Sequence, residues 1–216
     1  MQREESSIEA EVSLRVARLG AMPLIASGLA VLREAAPDTL FFHTISHAED
    51  VLHEAVLFAL HDRLDDREIE LLALAAAYHD AGYVRGGGAD HELFGANMAA
   101  EAMRREGGYT EIEVEQVRSM IMDTKLQTEP GKELHNFSSD LSKYLLDADL
   151  SNFGRNDFFA RFDDCLKETK LPRQNFLEQT LRIMNAHDWL TPAARTLRGP
   201  KKRENMRAIE LQLEKK

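Results

Sequence analysis

The stretch LLALAAAYHDAGY, residues 71–83, limits what this chain can become. Residues 71 to 77 are all Leu or Ala, so a helix here has no polar face and must be covered on every side. It then runs into His79 and Asp80, side by side, just before Gly82. Burying an imidazole or a carboxylate without a partner costs several kcal/mol, so something must satisfy both.

The remainder of the chain supplies the cover. Apolar residues recur at three- and four-residue spacing over 8–19 and 24–35. Ser46 and Glu49 have the form of a capping box that opens a helix through Leu60. Further helices are expected over 67–79, over 91–106 up to Gly107-Gly108, and from the Thr110–Glu113 capping box through Ile121. Segments 138–150, 155–168, 173–187 and 191–213 complete the series. Alternating strands with hairpin turns are absent from the pattern, as are internal repeats and low-complexity linkers. The expectation is an all-α protein, one helical domain over residues 1–216. Two polar loops interrupt it: VRGGGAD (84–90), directly after the His-Asp pair, and LQTEPGKELHN (126–136).

Charge and composition remove several classes of function. The net charge of −10 argues against binding nucleic-acid polymers or anionic membranes. The longest apolar stretches are too short to span a bilayer, and the charged first residues lack the apolar region of a signal peptide. A single cysteine, Cys165, excludes an internal disulfide and a cysteine-based zinc site. A reducing, cytoplasmic setting fits these features.

Eight histidines remain to be explained. His43 and His47 lie four apart in the apolar segment LFFHTISHAEDV, and His91 follows the glycine loop beside Glu92. Far downstream, LLDADLSNFG places Asp147 and Asp149 at an otherwise apolar helix end, where aspartate is rare unless paired or bound to a metal. One histidine, one His-Asp pair and a distant aspartate make four N/O donors presented by helices. Such a set suits one divalent ion, Mn²⁺, Fe²⁺, Mg²⁺ or Zn²⁺. His53, His61, His135 and His187 carry no functional reading, and Trp189 and the segment NDFFARF (156–162) read as core or as packing against the tail.

The order His47, His79-Asp80, Asp149 resembles the HD superfamily of metal-dependent phosphohydrolases. FHTISHAEDV is similar to that family's first ligand helix and YHDAGY to its central signature. HELFGANMA resembles the helix that follows, and DADLSNFG the closing aspartate motif. The likeness covers about residues 40–155, with helical extensions over 1–39 and 156–216. It implies a bundle of about five core helices with one metal at its centre, held by His47, His79, Asp80 and Asp149. Asp149 is preferred over Asp147 because it follows Ala148 directly; Asp147 would then orient a ligand or a basic residue. By the same resemblance, His43 would protonate the leaving oxygen and His91 would face the substrate.

The implied activity is hydrolysis of a phosphate ester of a small molecule, a nucleotide or related metabolite, by a metal-activated water. Asp80 would orient or deprotonate that water, and the developing charge needs cations or donors. Lys125, Thr124 and Arg85 are the candidates, ahead of the basic tail cluster Arg195, Arg198, Lys201, Lys202 and Arg203. Two other readings stay open: a non-catalytic module that binds a nucleotide or metal to regulate a partner, and a di-iron oxygenase, which an additional ligand such as His91 or His135 would favour. The amphipathic ends, 1–19 and 203–214, leave room for a homodimer.

Overall fold

Capping boxes open two of the helices, those that begin at Asp66 and Glu111. In the computed structural model the described residues are 2–85, 88–127, 134 and 136–214, with the side chains of 2–7 and 89 left aside. They form α1 (Gln2–Gly20), α2 (Pro23–Ala35), α3 (Ile45–His61), α4 (Asp66–Tyr78), α5 (His91–Glu106), α6 (Glu111–Asp123), α7 (Ser142–Asp149), α8 (Phe158–Thr169), α9 (Arg173–Ala186) and α10 (Pro192–Glu214). Short 3-10 turns occupy Ala81–Arg85, Gly88–Asp90 and Ser151–Gly154. No strand occurs among the described residues, so the fold is all-α.

Thr110 and Glu113 make the reciprocal capping box expected of them. A second one, Asp65 with Glu68, opens α4 one residue before the expected start. The Ser46–Glu49 box does not form. Thr44, in extended conformation, precedes the first turn of α3 and its carbonyl accepts from the Ala48 N–H at 3.1 Å. Ser46 is therefore already inside the helix, where its hydroxyl accepts from Arg161 at 3.2 Å. Helix α7 is shorter than the expected 138–150, because Ser138 bonds Asp123 and the Ser139 hydroxyl takes the Ser142 N–H.

Helix α4 is the centre of the bundle. It packs against α2, α3, α5, α6 and α7, and every residue from Leu71 to Asp80 is buried. Helix α10 closes the other side, on α9, on the Ser151–Gly154 turn and on α3. Buried apolar side chains from Val12 to Ile209 form one continuous cluster, so both extensions share the core of the central segment. Among the described residues no single helix is long and apolar enough to cross a membrane. Ile8–Gly20 and Pro23–Ala35 reach that length and composition only together, across an 84° bend, and their apolar residues Val12, Leu19, Ile25 and Leu32 are buried in the core.

Candidate metal centre

Three helix ends converge on one point. The first turns of α3 carry His47, the turn after α4 carries His79 and Asp80, and Asp149 is the last residue of α7. Two glycines press α5 against the His-Asp turn. A Cβ on Gly82 would stand 2.0 Å from the His91 carbonyl oxygen, and one on Gly95 would stand 2.4 Å from that of Tyr78. No side chain fits at either position, so the backbones themselves make the contact and hold the turn in place.

His79 Nδ1 lies 2.8 Å from the Ala76 carbonyl, which can only accept, so this nitrogen carries the hydrogen and Nε2 faces the cluster. His79 Nε2 is 3.4 Å from His47 Nε2, 3.2 Å from Asp80 Oδ2 and 3.5 Å from Asp149 Oδ1. His47 Nε2 is 3.0 Å from Asp149 Oδ1 and 3.6 Å from Asp80 Oδ2. Donors bound at about 2.1 Å to one ion sit about 3.0 Å apart at right angles and about 3.4 Å apart at tetrahedral angles. The observed spacings fall around those values. His47, His79 and Asp80, all buried and within 4.8 Å of one another, form a group that could hold a metal ion.

The charges agree with that use. Burial alone would raise the Asp80 carboxyl, but the adjacent His79 holds it well below the usual carboxylate range. Burial opposes ionisation of Asp149 too, yet its contacts with His47 and His79 hold it well below that range. Burial would lower His79, but the two carboxylates outweigh it and keep its pKa well above the ordinary value. The buried Asp80 and the half-buried Asp149 are thus held as carboxylates by shared positive charge, which a divalent cation would supply in place of protons. Asp80 Oδ2 is buried and accepts no hydrogen bond from any described residue, as expected of an oxygen reserved for an ion.

His43 and His91 stand at the rim. The Tyr83 ring lies between them, stacked on His43 at 4.5 Å and on His91 at 4.0 Å. His91 Nδ1 lies 2.8 Å from the Gly88 carbonyl, so its Nε2 is the free-facing nitrogen, 3.5 Å from Asp80 Oδ1. Asp80 therefore presents one oxygen to the cluster and the other to His91.

The remaining candidates are not in the cluster. Thr124 is buried, but its hydroxyl donates to the Ile121 carbonyl at 2.8 Å and completes the end of α6. Lys125 is about half exposed, with its ammonium 4.0 Å from Asp90. Arg85 is exposed and its guanidinium lies over the Phe94 ring at 5.1 Å. Of the tail cluster, Arg198 makes two hydrogen bonds to the buried Glu54, Arg195 donates to the Trp189 carbonyl, Lys202 contacts His187, and Lys201 pairs with Glu204. Asp147 touches none of the four converging residues' donor atoms; it accepts from the N–H groups of Leu190 and Thr191 and from the Thr191 hydroxyl. It anchors the start of α10, and burial pushes its carboxyl up to about 6 despite those bonds. Gly86, Gly87, residues 128–133 and His135 lie outside the described residues.

Glu168, which no sequence motif marks, completes the rim. Its Oε1 accepts from the N–H groups of Phe41, Phe42 and His43 at 2.5, 2.5 and 3.0 Å, and its Oε2 lies 2.6 Å from His43 Nδ1. Its carboxyl is kept low: burial would raise it, but the His43 contact and the backbone donors prevail. Such a carboxylate fixes the His43 tautomer and leaves Nε2 as the ring nitrogen outside that bond. Beside His43 and Asp149 opens a cavity of about 170 Å³ walled by phenylalanines. Phe158 and Phe162, which read as core, are part of that wall.

A comparison with protein-family models finds no match, and a comparison with curated proteins finds none. The likeness to HD phosphohydrolases therefore rests on the motif residues alone.

Proposed function

We propose that this protein is a metal-dependent phosphohydrolase of the HD type, acting on a phosphate ester of a small molecule. The observation that carries the reading is the meeting of His47 Nε2 and His79 Nε2, 3.4 Å apart, with each nitrogen 3.0 to 3.6 Å from both Asp80 Oδ2 and Asp149 Oδ1. These four atoms would hold one divalent ion. Two imidazoles favour a transition ion such as Mn²⁺, Fe²⁺ or Zn²⁺ over Mg²⁺, which prefers oxygen donors. The bound ion would supply positive charge that acidifies a water and polarises the phosphoryl oxygen.

The chain's own residues complete the chemistry. Asp80, with an oxygen on each side of the rim, orients the attacking water toward phosphorus. His43 holds a proton at Nε2 and delivers it to the departing alcohol oxygen, while Glu168 keeps the ring in place. In the balanced reaction the oxygen of water joins phosphorus, the bond from phosphorus to the ester oxygen breaks, and the alcohol takes up a proton. Lys125 and Arg85, both exposed, would meet a substrate phosphate only from the solvent side.

One contact supports a second reading. His91 Nε2 beside Asp80 Oδ1 offers the start of a second ion site, as a di-iron oxygenase would need. The discriminating experiment is hydrolysis of a generic phosphomonoester and phosphodiester with added Mn²⁺, run beside dioxygen consumption with added Fe²⁺. Hydrolysis that disappears in Asp80→Ala supports the first reading; dioxygen uptake without hydrolysis replaces it with the second.

A further inference from the structure

The phosphate of any substrate belongs at the ion, but the alcohol to which it is attached must lie somewhere, and one cavity adjoins the reacting end. We infer that this cavity takes the alcohol part of the substrate, and that this part is a single apolar ring rather than a nucleoside. The inference rests on the phosphohydrolase reading and names its substrate class.

The cavity begins where Asp149 and His43 face it and runs between the Ser151–Gly154 turn, α8 and α9. Phe153, Phe158, Phe162 and Phe176 form much of its wall. Successive rings meet at centroid distances of 6.2 Å (Phe158–Phe162) and 4.7 Å (Phe162–Phe176), tilted rather than face to face. Tilted rings of this kind offer edges and faces to a further ring. Among the described residues no lysine or arginine lines the cavity to compensate a phosphate, so the charged end of the ligand is assigned to the ion outside it.

Size narrows the occupant. A cavity of about 170 Å³ is close to the roughly 150 Å³ apolar cavity known to accept benzene. Pockets for larger ligands such as nucleosides run from about 300 Å³ upward. The pocket is partly open and mostly apolar, with Asn152, Cys165 and Thr180 the polar exceptions away from His43 and Asp149. Its position against His43 gives that space a use: a ring seated there puts the ester oxygen beside the proton donor.

The test compares kcat/KM for benzyl phosphate, ethyl phosphate and adenosine monophosphate on the full chain with Mn²⁺. Benzyl and ethyl alcohols are similarly poor leaving groups, so a difference reports binding of the ring. Hydrolysis of benzyl phosphate adds water across the P–O bond and yields benzyl alcohol and inorganic phosphate. The expected benzyl-to-ethyl ratio is at least about 10, with adenosine monophosphate no better than ethyl phosphate. Filling the cavity from α8 with Cys165→Phe, or from α9 with Thr180→Phe, should lower that ratio about tenfold.

A direct readout stands beside the kinetics. The ¹⁹F signal of 4-fluorobenzyl alcohol should broaden and shift on titration with the wild-type chain and stay sharp with a filled variant. A wild-type ratio near one, or adenosine monophosphate as the preferred ester, overturns the inference while leaving the phosphohydrolase reading intact. Ring binding without hydrolysis of any ester overturns the phosphohydrolase reading and leaves the ring site standing. Should both filled variants fail to fold, the wild-type ratio and the ¹⁹F titration decide, and an unperturbed ¹⁹F signal counts against the cavity.

Discussion

The carboxylate of Glu168 and the imidazole of His43, 125 residues apart in the chain, lie 2.6 Å from each other at the rim of the candidate metal centre. The same carboxylate receives the backbone N–H groups of Phe41, Phe42 and His43, so it fixes both the ring and the strand of backbone that carries it. The helical extension after residue 155 thereby reaches back to the site.

Glu168→Gln should accordingly reduce kcat while leaving KM nearly unchanged, because it disturbs the proton donor and not the substrate's binding groups. A loss of about 10- to 100-fold is expected, below the full value of a general acid. Steady-state kinetics across pH would check it, with the limb assigned to His43 displaced in the variant. A change in KM alone would count against the role.

Stability should depend on Glu168 in one pH window. Its folded pKa lies below the unfolded value of about 4.3, so its contribution is complete above that value and fades as pH falls through the folded pKa. Wild type should exceed Glu168→Gln by about 1 kcal/mol at pH 7, as expected for a hydrogen-bonded charge. Urea melts at pH 7 and pH 3 should show that gap closing at the acidic end.

Divalent metal should stabilise the protein by mass action. An ion present at about 100 times its Kd adds about 2.7 kcal/mol, visible as a rise in melting temperature with Mn²⁺ or Zn²⁺. His79→Ala should abolish the rise, since it removes the nitrogen nearest Asp80 Oδ2. A rise that persists in the variant would locate the binding elsewhere.

Gly82→Ala should be destructive out of proportion to one methyl group. The added carbon would overlap the His91 carbonyl at 2.0 Å and force α5 away from the His-Asp turn. Loss of more than about 2 kcal/mol of stability is expected, together with loss of the metal-induced rise. Gly107→Ala, with nothing within 4 Å but a backbone at φ +79°, should cost stability from strain alone and leave the metal response intact.

Much of this architecture is legible in the sequence because it depends on local rules. The all-apolar run at 71–77 does become the central helix, and His79 and Asp80 stand out as polar residues that such a helix cannot bury idly. The Thr110–Glu113 cap follows from two residue types at fixed spacing. The Ser46–Glu49 pair obeys the same spacing but loses to Thr44, because its neighbour's backbone closes the first turn earlier. Glu168 carries no comparable mark: it is one of many acidic residues on an amphipathic helix, and only the tertiary fold brings it to His43. Phe158 and Phe162 read as core and are buried in it; that they also wall a cavity has no mark in the sequence, because a phenylalanine that packs and one that lines a pocket look alike there. Thr124, Lys125 and Arg85 read as substrate contacts because they follow helix ends near the motifs; in the structure Thr124 bonds the Ile121 carbonyl, Lys125 lies 4.0 Å from Asp90, and Arg85 lies over Phe94.

The central claim is that His47, His79, Asp80 and Asp149 make one binding site for a divalent ion. Equilibrium titration with Mn²⁺, read by the loss of the free-ion electron paramagnetic resonance signal, tests it most directly. The account predicts one ion per wild-type chain and none for the doubly substituted His79→Ala, Asp80→Ala chain. Failure of the wild type to bind, or binding by the substituted chain at equal affinity and stoichiometry, would contradict it.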